Sequence, residues 1–263
     1  EPARGARPMT SPAGWLDGLH ADDAEALSHR IERTLGGNLC RCTGYRPIKR
    51  AAAVALAARE DGVGPDAARR ERAIAARLRA LAAEAPRHPA FHAPRTVAEL
   101  AALRLRHPDA PLLGGGTDLA LEVTQKLAEL PRLIHTRAVA ELLESEDHGD
   151  AITLGAAISL TRCIELLGAR VPGAAELLLR FGSDQVRNQG TIGGNLGSAS
   201  PIGDLPPLLL ALDATLVLQR GGHVRELPLD DFFVGYRETR LARGEFVRAV
   251  RVPLPGEGDL CAV

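Results

Sequence analysis

Four cysteines in 263 residues, at positions 40, 42, 163 and 261, give no disulfide framework. Charge of one sign is also missing. Formal net charge is −1 with Arg and Glu interspersed, so nothing calls for a nucleic-acid or membrane-surface partner, and Arg69-Arg70-Glu71-Arg72 reads as a solvated helix face. No apolar run approaches the roughly 18 residues of a membrane span, and no charged-then-apolar leader is present. A reducing, cytoplasmic setting is the expectation. What remains is a chain with 45% hydrophobic residues, enough for a sizeable core in one or two domains plus a linker.

Cys40 and Cys42 stand one residue apart in Gly37-Asn-Leu-Cys-Arg-Cys-Thr-Gly-Tyr-Arg-Pro-Ile48. The main chain between them is too short for ordinary disulfide geometry, whereas two thiolates so close can reach the irons of one small cluster. Two unrelated free thiols are the alternative. Cys163, inside an apolar helical pattern, and Cys261 read as buried or incidental thiols. His20 and His29 have no supporting motif as substitute ligands.

Leu27, Ile31 and Leu35 recur at four-residue spacing and stop at Gly36-Gly37, which predicts a helix over 22–35. Pro47 opens a second, Ala-rich helix to Glu60. Residues 61–94 carry proline clusters and an Ala/Arg helix to about Glu84, the pattern of a linker. From the capping box Thr96-x-x-Glu99 onward, short strands and helices alternate. Strands are expected at 111–113, 132–136, 151–156 and 245–252, helices at 159–167 and 172–181, and a hairpin across 213–227. The fold class is α+β in two small layered units.

Two glycine-rich stretches follow. Leu112-Leu113-Gly114-Gly115-Gly116-Thr117-Asp118-Leu119 offers consecutive backbone amides to an anionic group such as a pyrophosphate. It has neither Walker nor G-x-G-x-x-G spacing. The second, Arg187 to Asp204, reads as a long Gly/Ser/Thr loop suited to lie against a large flat ligand, with Thr191, Ile192, Gly193, Gly194 and Asn195 as one wall and Asp204 as a carboxylate for a ribose or sugar-alcohol hydroxyl. A strand-to-helix connection and a surface loop are the competing readings.

The run around Cys40 and Cys42 is similar to the second cysteine pair of the helical 2Fe-2S domain of the molybdenum hydroxylases, the xanthine dehydrogenase family. The two glycine-rich stretches resemble the two FAD-binding segments of that family's flavin domain, in the same order. The resemblance covers about 22–60 and 91–260. It implies a partial all-helical 2Fe-2S domain over 1–60, a linker over 61–90, and a two-subdomain α+β FAD-binding domain of the vanillyl-alcohol oxidase/molybdenum hydroxylase type over 91–263. On this reading the chain is truncated at both ends, lacking an upstream Cys-x-x-Cys pair and a C-terminal flavin subdomain.

The same resemblance implies that residues 112–119 line the adenosine diphosphate end of FAD, that Thr191 to Asn195 form the second wall, that Asp204 bonds the flavin nucleotide chain, and that Phe181 and Val247 pack against the cofactor. Cys40 and Cys42 become cluster ligands. No residue is a catalytic acid or base. The implied activity is electron relay from a molybdopterin-binding large subunit through iron–sulfur clusters to FAD and on to NAD. Alternatives are the flavin subunit of a molybdenum hydroxylase acting on an aldehyde, a heterocycle or carbon monoxide, and a non-catalytic remnant.

Overall fold

The computed structural model describes residues 24–40, 42, 44–57, 65–84 and 88–256. The chain divides into two compact units at Pro86/Arg87.

The first unit holds α1 (Ala24–Leu35), α2 (Arg46–Ala57) and α3 (Pro65–Glu84). The expected helices are present, although α2 is described only to Ala57. Ile31 is buried, and Lys49 on α2 pairs with Glu32 on α1 across the turn that holds Cys40 and Cys42. Helix α3 fills most of the expected linker. Its Ile74, Leu78 and Leu81 recur at i, i+4 and i+7 and are all exposed, so the segment carries an apolar stripe that its Ala/Arg composition conceals.

The second unit is built in two layers, each with its own sheet. The first contains β1 (Phe91–His92), α4 (Val97–Arg106), β2 (Leu112–Leu113), α5 (Leu119–Thr124) and β3 (Leu133–His135). The strands form a parallel sheet in the order β1-β3-β2, with Leu112 opposite Ile134. Parallel strands require a crossover, which α4 and α5 supply. Thr96 caps α4 by accepting from the Glu99 amide at 3.2 Å, and Glu99 returns a bond from the Arg95 amide at 2.7 Å. Thr96 and Glu99 are therefore the capping pair the sequence predicts.

The second layer comprises β4 (Ser145–Asp147), β5 (Ala151–Gly155), α6 (Leu160–Gly168), α7 (Pro172–Arg180), α8 (Asp184–Gln189), α9 (Ile192–Ser198), α10 (Leu205–Ala211), β6 (Thr215–Arg220) and β7 (His223–Pro228), then the small hairpin β8 (Phe233–Gly235) and β9 (Glu238–Thr239), and finally β10 (Phe246–Pro253). Here the sheet is antiparallel, in the order β4-β5-β10-β6-β7. Its central strand, β10, alternates Val250 and Val252 into the core with Arg251 outward, the pattern of a half-buried strand. The large core joins this sheet to α6, α7, α9 and α10. A smaller one gathers Val97, Leu100, Ile134, Leu142 and Phe246 beneath the parallel sheet.

One element departs from expectation. The stretch 187–204, expected as a loop, holds the end of α8 and all of α9, and ends at Asp204, the residue that precedes α10. Helix α9 contains three glycines, which carry a helix penalty of about 1 kcal/mol each. Tertiary contacts offset it. Ile192 and Leu196 are fully buried on one face, and Thr191 caps the helix by accepting from the Gly194 amide at 3.1 Å.

A cluster of imidazoles sits at the edge of the parallel sheet. His92 stacks on His107 with centroids 5.5 Å apart, and Arg132 lies against the His107 ring. Burial, then Arg132, His92 and Arg106, hold the His107 pKa below its ordinary value; burial and Arg137 do the same to His135. Both rings bind a proton less readily folded than unfolded. Their neutral forms stabilise the fold fully above the unfolded value of about 6.5, and that stability erodes as pH falls below it. The melting temperature is therefore expected to decline between about pH 7 and pH 5, where the carboxylates of Asp109, Asp147 and Glu245, all held below the usual range by hydrogen bonds to arginine or backbone, still contribute. A flat profile across that window contradicts this account.

Candidate functional site

The two glycine-rich stretches meet. A Cβ on Gly115 would stand 1.8 Å from the Gln189 carbonyl oxygen, and one on Gly114 would stand 2.6 Å from Thr191 Oγ1. The turn after β2 thus lies directly on the α8–α9 junction, and only glycine permits the approach. Gly116 adopts φ +74°, the left-handed region, to turn the chain into α5. On the other side Gly193 packs on the exit of β5, where a Cβ would meet that of Ala156 at 2.6 Å.

A cleft of about 530 Å³ opens along this contact, within the range of small-molecule and cofactor sites. Gly114, Gly115, Gly116, Thr117, Asp118 and Leu119 line it from the first stretch, and Leu112 from the strand before. Thr191, Gly193, Gly194 and Asn195 line it from the second, and Phe181 and Val247 line it as well. Three expected residues do not line it. Ile192 is fully buried in the core, Leu113 is half-buried in β2, and Asp204 is exposed at the start of α10. Arg104, Thr136, Leu142, Glu245 and Phe246 line the cleft without any motif to announce them, since they are gathered from α4, the end of β3, the short 3-10 turn Ala140–Leu143 and the entry to β10.

The donors of the two walls differ. In the second stretch the amides are already used: Ile192 N–H donates to the Ile158 carbonyl at 3.0 Å, Gly193 N–H to that of Ala156 at 2.9 Å, and Gly194 N–H to Thr191 Oγ1. In the first, the amides of Gly115, Gly116 and Thr117 donate to no group among the described residues. Successive backbone N–H groups with no internal acceptor among the described residues, in a turn of three glycines, suit an anionic pyrophosphate. Asn195 Oδ1 is buried without a hydrogen-bond partner among the described residues, which suits a donor such as a sugar-alcohol hydroxyl. These features fit a dinucleotide cofactor. Asp118 meets Arg237 of the β8–β9 turn at 3.4 Å, which ties the first loop to that hairpin. Glu245 is engaged by Arg225 through two bonds of 2.8 Å.

In the first unit, the Cys40 amide donates to Tyr45 Oη at 2.6 Å and the Cys42 amide to Cys40 Sγ at 3.3 Å. Cys42 is exposed. Among the described residues no group of three or more His, Cys, Asp or Glu side chains is placed to hold a metal ion. These two thiols alone are half the set a 2Fe-2S cluster needs. Cys163 is buried as expected, its thiol pushed up to about 12 by burial; Cys261 and His20 lie outside the described residues.

A parallel sheet, an antiparallel sheet and a glycine-walled cleft between their connections define a mixed α/β cofactor-binding domain. Residues 83–255 match the family described as the FAD binding domain in molybdopterin dehydrogenase. The chain is 30% identical over 299 aligned positions to xanthine dehydrogenase of Emericella nidulans, covering 92% of this chain and 22% of that protein. It is 34% identical to the carbon monoxide dehydrogenase medium chain of Hydrogenophaga pseudoflava, covering 64% of this chain and 60% of that one.

Among solved structures, carbon monoxide dehydrogenase of the same organism superposes with a TM-score of 0.61 at 34% identity, covering 66% of this chain and 61% of that one. Quinoline 2-oxidoreductase of Pseudomonas putida 86 superposes with a TM-score of 0.60 at 28% identity, covering 65% and 60%. The chain therefore belongs to the FAD-binding domain family of the molybdenum hydroxylases, an oxidoreductase family. It spans about a fifth of the length of the xanthine dehydrogenase it matches and three fifths of the medium chain.

Proposed function

We propose that this chain is the iron–sulfur/FAD electron-transfer part of a xanthine dehydrogenase-type enzyme, receiving electrons from a molybdopterin-binding large subunit and passing them to NAD. Residues 1–60 are then a partial helical 2Fe-2S domain, 61–90 a linker, and 91–263 the flavin domain. The observation that carries the flavin assignment is the set of amides at Gly115, Gly116 and Thr117 that find no acceptor among the described residues, in residues that line the cleft. Those amides and Thr117 hold the pyrophosphate, Asn195 Oδ1 accepts from the sugar-alcohol chain, and Phe181 and Val247 cover an aromatic ring. When bound, FAD supplies the two-electron chemistry; the residues of the chain position it and exclude water.

The xanthine dehydrogenase alignments extend over 92% of the chain, beyond the flavin domain and across the Cys40–Cys42 turn. That supports fusion of an iron–sulfur domain to the flavin domain. Cys40 and Cys42 would supply two of the four ligands that such a cluster takes. A second reading, the flavin subunit of a carbon monoxide or heterocycle hydroxylase, draws on the similarity to the medium chain and to quinoline 2-oxidoreductase. A cytoplasmic setting belongs to the first reading; no helix among the described residues is long and apolar enough to cross a membrane.

The test is anaerobic spectroscopy of the purified chain. Bound flavin absorbance, released as intact FAD on denaturation and bleached by NADH, is the expected result. FAD that NADH does not reduce favours the second reading. A colourless protein that takes up no FAD sinks both.

A further inference from the structure

Arg187 opens the second glycine-rich stretch and is 4% exposed, yet it does not line the cleft. Its guanidinium is spent on one turn. Nη1 donates to the Phe181 carbonyl at 2.6 Å, to that of Gly182 at 2.9 Å and to that of Leu179 at 3.2 Å, while Nη2 pairs with the Asp184 carboxylate. The last carbonyls of a helix have no partner within it, and α7 ends at Arg180. Arg180 itself pairs with Glu176, so the cation that satisfies this helix end comes from α8. The turn it grips is the one that carries Phe181 to the cleft, and Gly182 follows at φ +54°, in the left-handed region.

We propose that Arg187 is a positioning residue for the flavin: by holding the carbonyls of Leu179, Phe181 and Gly182 it fixes the Phe181 ring in the wall of the cleft, and it strengthens FAD binding through that ring without touching the cofactor. The inference rests on the flavin reading above, in which Phe181 covers an aromatic ring. A wall residue on a loose turn must be ordered when the ligand arrives, and that ordering is subtracted from affinity. Arg187 does the ordering in advance. Its planar fork reaches three carbonyls and a carboxylate at once, whereas a lysine carries the same charge on a single nitrogen. Every bond it makes is to the α7–α8 turn or to Asp184 at the start of α8, so its influence on the cleft passes through the turn and the ring that the turn carries.

The experiment is a double-mutant cycle on the whole chain, with FAD titrated into the apo form and read by flavin fluorescence. Arg187→Met is expected to bind FAD about tenfold more weakly than the natural chain, and Phe181→Leu to lose a similar factor. The double variant should bind no more weakly than Phe181→Leu alone, because a residue that acts through the ring has nothing left to act on once the ring is gone. A residue that merely stabilises the fold gives the opposite pattern, two losses that multiply to about a hundredfold, and that result overturns the proposal. Arg187→Lys is carried through the same cycle, since it keeps a positive charge beside Asp184 and a donor for the carbonyls. Its loss should be smaller, about threefold, and should likewise vanish in the Phe181→Leu background. Failure of both Arg187 variants to fold makes the residue a requirement of the fold and overturns a role confined to the site. Full FAD affinity in Arg187→Met or in Phe181→Leu also refutes the proposal, and leaves the flavin reading standing. A natural chain that binds no FAD refutes both.

Discussion

Gly115→Ala is expected to abolish flavin retention and to lower the melting temperature of the protein without flavin as well. The added Cβ would stand 1.8 Å from the Gln189 carbonyl oxygen and 2.8 Å from the Gly190 nitrogen. Both are backbone atoms that no rotamer change can move aside. The turn after β2 and the α8–α9 junction must therefore separate, and overpacking of this kind costs about 1–3 kcal/mol. Separation also displaces the amides of Gly116 and Thr117 from the second wall, so affinity should fall by more than tenfold. The sequence suggests a different cause, a side chain intruding on the pyrophosphate, because it cannot reveal that Gly115 faces Gln189. Gly115→Asp should accordingly do little more harm than Gly115→Ala. Flavin content after purification and a thermal melt of the apo form decide it: an alanine variant that retains flavin and melts normally contradicts the contact.

Phe246→Ala is expected to have the largest effect on stability. Phe246 is 1% exposed, begins the central strand of the antiparallel sheet, and packs with Leu100, Ile134 and Leu142 under the parallel sheet. One ring thus belongs to both layers. Removing a buried phenylalanine costs about 3–5 kcal/mol through lost transfer energy and the cavity left behind, a large share of the 5–15 kcal/mol typical of a folded domain. The same ring lines the cofactor cleft, so FAD should bind more weakly and stabilise the variant less. Urea unfolding of the natural chain and the variant measures the first effect, and a midpoint unchanged by the substitution refutes it.

Local signals and long-range contacts divided the work in this chain. Thr96 and Glu99 announce α4, Pro172 opens α7, and the alternation of Val250 and Val252 inward with Arg251 and Pro253 outward marks the second half of β10, because caps and periodicity act within a few residues. The stretch 187–204 misleads for the converse reason. Glycine, serine and threonine are poor helix formers, and α9 stands on the burial of Ile192 and Leu196 and on the fit of Gly193 against Ala156, contacts with residues distant in sequence.

For the site, composition was enough to single out Gly114, Gly115 and Gly116 and the Thr191 to Asn195 wall, since bare backbone must be encoded as glycine wherever it is needed. Arg104, Thr136 and Glu245 carry no such mark, and their presence in the cleft follows from how α4, β3 and β10 converge. By itself the sequence determined the alternation of elements, the two glycine-rich walls, the Cys40–Cys42 pair and the family they resemble, all of which depend on residue type at short spacing. Only the tertiary structure decided that the amides of the second wall are spent internally while those of the first are open, and that Ile192, Leu113 and Asp204 stand outside the cleft. Which hydrogen bonds are already satisfied, and which side chains share a cavity, depends on elements brought together across long stretches of chain.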